Sequence, residues 1–181
     1  ILASHALRLS GEAVKTFDVA IQAGAIAAVL GLYRARLVSM HRVLLRNLAI
    51  SVLPSAVAGV LLHRVIKSLL FGVWPVVAAL ALGGLLMVGL DGGLQRRGRA
   101  AARTLESLTA REALLIGLAQ CLSLWPGTSR AMVTMVAGMC LGLPATAAAE
   151  YSFLLALPTL GAATLFDVLT GGQAFWHDIG G

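Results

Sequence analysis

Residues 111–143 read REALLIGLAQCLSLWPGTSRAMVTMVAGMCLGL, and this stretch decides the fold. Two apolar arms flank a polar, chain-breaking knot, Pro126-Gly127-Thr128-Ser129-Arg130. At about 1.5 Å per helical residue each arm reaches about 21 Å, short of a bilayer core of about 30 Å. The arms therefore read as two half-helices meeting inside a membrane. Pro126 lacks an amide hydrogen, and Gly127 tolerates backbone angles that other residues avoid. Thr128 or Ser129 can cap the following helix, whose free amides and positive dipole end make an anion site beside Arg130. Broken backbone at membrane depth survives only inside protein or along a wet cavity. A Pro-Gly kink alone is often only structural. Arg130 points toward function, because a lone charge in lipid costs roughly 2.5 kcal/mol or more and needs a partner or ligand.

Composition agrees with a membrane location. The chain has 181 residues, 59% hydrophobic and 12% charged, with a mean hydropathy of +0.89. Soluble domains carry about 25% charged residues. One all-α, polytopic membrane domain over residues 1–181 is expected. The net charge of +6 fits basic cytoplasmic loops, and nucleic acid is not an expected partner. Cys121 and Cys140 lie inside apolar arms without metal-ligand spacing, so they read as small hydrophobes. His177 and Asp178 are too few to make a metal site. The chain starts at Ile1 without methionine and reads as a fragment of a longer protein.

Spans are expected at 17–33, 47–63, 73–90 and 145–169, with 111–143 as a re-entrant hairpin. Pro54, Gly59 and Pro158 read as kink or close-packing points. Basic loops follow the first and third spans: Arg34, Arg36, His41, Arg42 and Arg46, then Gln95-Arg96-Arg97-Gly98-Arg99 with Arg103. Both would face the cytoplasm. Thr109 with Glu112 predicts a capping box at the hairpin's entrance. Gly171 to Gly181 reads as a polar turn leaving the last span, with Trp176 in the interfacial belt. Asp18 and Gln22 share one helical face, either at the interface or toward an internal cavity.

The arrangement resembles the undecaprenyl-diphosphate phosphatase family, membrane enzymes linked to bacitracin resistance. That family carries a P-G-x-S-R-S-G-x-T block after a G-L-x-Q-x-L-x-L arm. Here the match is Gly117-Leu118-Ala119-Gln120, Leu122-Ser123-Leu124, then Pro126 to Arg130 and Thr134. Ala131-Met132 replaces the family's second Ser-Gly pair. Similarity continues through Glu150 to Leu155, Pro158, and Phe17 to Gln22, and so spans nearly the whole chain.

The resemblance implies an inverted-repeat membrane fold with a second broken hairpin upstream of Ile1. It implies hydrolysis of a polyprenyl diphosphate lipid, undecaprenyl diphosphate, to the monophosphate and inorganic phosphate. This would recycle the lipid carrier for peptidoglycan at the bacterial inner membrane. Arg130, Ser129 and Thr134 are the expected catalytic residues. Gly127, Thr128, Gln120, Asp18 and Gln22 are the expected substrate-binding ones. A divalent metal, Mg or Ca, is implied by resemblance, with its ligands upstream of residue 1 and none among 1–181. Residues 1–181 would then hold the phosphate-clamping half of the site and be inactive alone. The oligomeric state stays open, a homodimer included. A rival reading is a transporter or lipid-carrier flippase binding an anion at the same turn. A third is a membrane subunit without chemistry.

Overall fold

The computed structural model describes residues 21, 24–69, 72–100 and 103–179. After a helical segment over 24–32 come α1 (Arg34–Val38), α2 (Arg42–Leu69), α3 (Val73–Ala100), α4 (Ala110–Gln120), α5 (Arg130–Cys140) and α6 (Ala145–Ile179). Single 3-10 turns cover Leu105–Ser107 and Cys121–Leu124. The described residues are all-α, with no strand among them. The chain forms two compact units. One is Ile1–Val38 with Ala156–Gly181, the other Ser39–Leu155. The second unit holds α2 to α5 and the start of α6, and with them the hairpin.

Within that unit α4 packs along α2, and α5 packs on both α3 and α4. The α2–α4 contact is close because Gly117 lacks a side chain. A Cβ there would lie 2.8 Å from the Ser51 Cα, inside van der Waals contact. Small residues at such crossings let helix backbones approach, which replaces the missing hydrophobic drive in lipid. The core is filled by Leu44 and Leu48 of α2, Val76 and Ala79 of α3, Ala113 and Ile116 of α4, and Tyr151, Leu154 and Leu155 of α6. The outside is apolar as well: Val60, Leu61, Leu85 and Val88 are all exposed. A water-soluble protein keeps such residues inside and a polar face outside. Arg42–Leu62 is long and apolar enough to cross a membrane, with a mean hydropathy of 1.7 over 21 residues, and only 28% of that window is buried. Among the described residues no other helix meets that test; Val73–Gly89 and Arg130–Cys140 are shorter apolar stretches.

Several helices run past the boundaries expected from sequence. The basic segment Gln95–Arg99 is not a loop but the end of α3. The segment after residue 33 is also mostly helical, in α1 and the start of α2. Gly171 to Ile179 continues α6 rather than forming a turn. Hydropathy marks where a helix leaves an apolar medium, not where it unwinds, and Arg is a good helix former. Pro54 and Pro158 both lie inside uninterrupted helices. A proline removes one backbone bond, and packing of the flanking turns supports the rest.

Candidate functional site

The hairpin begins with the expected capping box. The Thr109 amide donates to Glu112 Oε2 at 2.8 Å, and the Glu112 amide donates back to Thr109 Oγ1 at 3.3 Å. Arg103 then closes the base. Its guanidinium donates to both Glu112 carboxylate oxygens at 2.9 and 3.1 Å and to the Leu141 carbonyl at 2.6 Å. The guanidinium holds the Glu112 carboxyl down at about 2, with the Thr109 amide and hydroxyl adding to the effect and burial opposing it. The pairing in turn raises the Arg103 pKa above its ordinary value. Arg103 therefore joins the start of α4 to the end of α5. At the far end of α5, Gly142 (φ +89) turns the chain, and the Leu143 amide reaches back to the Gly138 carbonyl at 3.0 Å. Only a residue without Cβ takes that angle cheaply.

The knot itself is a tight turn. The α-helical pattern stops at Gln120, and the chain tightens to 3-10 over Cys121–Leu124. The Thr128 amide then donates to the Trp125 carbonyl at 3.1 Å, with Gly127 at φ +96. Proline second and a positive-φ glycine third is the signature of a type II turn. This turn lies on the first turn of α3. The Trp125 indole N–H donates to the Pro75 carbonyl at 3.0 Å, and a Cβ on Gly127 would sit 2.7 Å from the Val76 carbonyl oxygen. Ser129 follows in extended conformation and caps α5, its Oγ accepting from the Met132 amide at 3.3 Å. Because that oxygen accepts, the Ser129 hydroxyl proton remains for another acceptor. Ser129 is exposed, Thr128 and Arg130 are half-buried. Arg130 is the first residue of α5, where backbone amides lack helical partners and the dipole is positive.

Thr134 and Gln120 sit deeper. Thr134 is 2% exposed, and its hydroxyl oxygen lies 3.0 Å from the Arg130 carbonyl, 3.2 Å from the Ala131 carbonyl and 2.7 Å from Ser152 Oγ on α6. Gln120, also 2% exposed, donates through Nε2 to Ser55 Oγ at 2.7 Å. Its Oε1 is buried without a hydrogen-bond partner among the described residues. A buried amide oxygen left unpaired is costly, and such an atom calls for a water or ligand donor. Asp18 and Gln22 lie outside the described residues.

A buried polar row runs along α4 on the facing side of α2. Asn47, Ser51 and Ser55 share one face of α2 and are all buried. The Asn47 amide donates to the Leu108 carbonyl at 2.6 Å, and Ser51 Oγ donates to the Ala113 carbonyl at 2.6 Å. The Tyr151 hydroxyl lies 2.7 Å from Ser51 Oγ and 3.0 Å from the Asn47 carbonyl. The shortest contacts make a directed chain, Tyr151 to Ser51 to Ala113, linking α6, α2 and α4. The signal was visible as polar residues every fourth position within an otherwise apolar span.

Hydroxyls, amides and a guanidinium around a helix start suit an anion, not a cation. Among the described residues no group of three or more His, Cys, Asp or Glu gathers. The side chains at this turn do not fit a metal.

The family model for "Bacitracin resistance protein BacA" matches residues 1–179. The chain belongs to the BacA family. Within it, the chain is 48% identical over 180 residues to an undecaprenyl-diphosphatase of Sorangium cellulosum, covering 94% of the chain and 59% of that protein. It is 43% identical over 186 residues to an undecaprenyl-diphosphatase of Nitrosomonas europaea, covering 98% of the chain and 67% of the relative. Against undecaprenyl-diphosphatase 1 of Burkholderia thailandensis the identity is 39% over 185 residues. The chain thus spans about three fifths to two thirds of the curated BacA relatives it matches.

Proposed function

We propose that the protein containing this chain hydrolyses undecaprenyl diphosphate to undecaprenyl phosphate and inorganic phosphate. Recycling of the lipid carrier for peptidoglycan, and resistance to bacitracin, follow from that activity. The observation that carries the reading is Arg130 at the first position of α5, a helix that follows a type II turn and is capped by Ser129. In hydrolysis, water oxygen bonds to the terminal phosphorus and the bridging P–O bond breaks. The water's proton leaves, and negative charge builds on the bridging and terminal oxygens. The Arg130 guanidinium offers two parallel N–H donors to those oxygens. Ser129 donates its remaining hydroxyl proton, and the first-turn amides of α5 add dipole stabilisation. Gly127 and Thr128 give the turn its shape, and the Gln120 amide at the end of α4 would add a polar group to the lining. Thr134 holds the same turn from the helix side. Asp18 and Gln22 would complete the polar lining. Any metal would be held by residues outside this set.

The apolar exterior and the family support a reading in which this chemistry belongs to a multi-pass bacterial inner-membrane protein with inverted repeats, acting as monomer or homodimer on a lipid that enters sideways. The test is phosphate release from farnesyl diphosphate and undecaprenyl diphosphate by the full-length protein. Arg130→Ala should abolish release without loss of folding. Arg130→Lys keeps the charge but not the fork and should lose about 10- to 100-fold. Full turnover by Arg130→Ala would overturn the assignment. A transporter or flippase binding the same anion would move substrate across vesicles without releasing phosphate.

A further inference from the structure

We infer that Ser152 of α6 is a positioning residue for the phosphate turn, acting through Thr134 and through the backbone that carries Arg130. The inference rests on the phosphatase reading above and goes beyond it. Thr134 and Ser152 are each 2% exposed, and their hydroxyl oxygens are 2.7 Å apart. Thr134 Oγ1 also faces the carbonyls of Arg130 and Ala131 at 3.0 and 3.2 Å, and Ser152 Oγ faces the Ala131 carbonyl at 3.5 Å. Two hydroxyl protons therefore serve four contacts, all centred on the first turn of α5. Every acceptor in that set belongs either to this pair or to the two residues that open the helix. The Thr134 oxygen is consequently turned into the protein. It holds the start of α5 against α6 and does not reach toward a ligand at the exposed Ser129 edge.

A side chain that hydrogen-bonds the carbonyl four residues back tilts that peptide and bends the helix start. The peptide tilted here is the one whose carbonyl belongs to Arg130. Removing the Ser152 hydroxyl frees Thr134 to change rotamer and lets the Arg130 peptide relax. A small misplacement of a positioning group costs rate steeply. The neighbouring hydroxyl pair Ser51 and Tyr151 offers an internal comparison. It is equally buried and equally short at 2.7 Å, but it ties α2 to α6 away from the turn.

The experiment uses the full-length protein in detergent or nanodiscs. Phosphate release and the affinity for a methylene-bisphosphonate analogue of farnesyl diphosphate are measured for Ser152→Ala, Thr134→Val, the double variant, Ser152→Thr and Ser51→Ala. Ser152→Ala and Thr134→Val should each lower kcat/KM by about tenfold, and the double variant should lose no more than either alone. Ser152→Thr should recover most of the loss. Ser51→Ala should lower the melting temperature while keeping kcat/KM. Full activity in Ser152→Ala, additive losses in the double variant, or an equal kinetic loss in Ser51→Ala would each overturn the positioning role. If the wild type neither releases phosphate nor binds the analogue, the phosphatase reading fails first, and this inference falls with it.

Discussion

Gly117 and Ser51 meet backbone to backbone, so closely that a methyl on Gly117 would overlap the Ser51 carbonyl group. This contact sets the distance between α2 and α4 and therefore the register of the buried polar row. Gly117→Ala cannot be relieved by a side-chain rotation, because the obstacle is main chain. It should destabilise by at least 1–3 kcal/mol, as overpacking does. Gly84→Ala on α3 meets open space and should change stability by no more than about 1 kcal/mol. Thermal unfolding of the two variants in the same detergent checks the contrast.

Gly127→Ala combines two penalties. The backbone angle of +96 is strained for alanine, and its Cβ would press on the Val76 carbonyl oxygen at 2.7 Å. Strain alone is of order 1–3 kcal/mol. The turn should shift away from α3, and phosphate release should fall with stability. A variant that melts and turns over like the wild type would show that the turn does not need this angle.

The Arg103–Glu112 pair predicts an acid-sensitive hairpin base. Glu112 titrates at about 2 in the folded protein against an ordinary value of 4.5. Folding therefore favours its ionised form. The contribution is complete above about pH 4.5 and is lost as pH falls through about 2. Melting temperature measured from pH 7 down to pH 2 should drop less for Glu112→Gln than for the wild type, because the variant has already lost the ionised partner. The partly exposed setting and added salt will keep the difference modest.

Gln120→Leu separates a structural from a binding role. The Gln120 oxygen has no hydrogen-bond partner among the described residues, and Ser55 keeps its own bond to the Val52 carbonyl at 3.0 Å. Stability should change by no more than about 1 kcal/mol. If the amide meets substrate, KM for farnesyl diphosphate should rise while the melting temperature holds. An unchanged KM would remove Gln120 from the binding set.

Tyr151→Phe takes the first member from the chain Tyr151, Ser51, Ala113. Hydroxyl links between membrane helices average about 0.6 kcal/mol, with a maximum near 1.7. A loss in that range, read by unfolding in detergent, is expected with activity retained.

Much of the hairpin was legible because it is built from local rules. Pro126-Gly127 announced the turn, Thr128 or Ser129 the cap, which the structure gives to Ser129, and Thr109 with Glu112 the capping box, each a matter of a few neighbouring residues. Helix ends were harder. Arg96, Arg97 and Arg99 read as a loop because charge ends an apolar run, yet charge does not end a helix. The polar row of Asn47, Ser51 and Ser55 was visible only as periodicity; its partners Leu108, Ala113 and Tyr151 are far along the chain. No local pattern could say that Thr134 turns inward, since that depends on where Ser152 arrives. Arg103 does lie in the loop after α3, but its role as a tie is not local: its acceptor Leu141 is 38 positions away.

The Trp125 indole on the Pro75 carbonyl, beside Gly127 on Val76, has a mechanical consequence. The loop and the opening of α3 are riveted at two successive points. If the loop closes over a headgroup, it must drag that neighbouring rod along or shear the indole rivet. Emission from Trp125 would shift in the second case and stay put in the first, giving an optical gauge of which component yields.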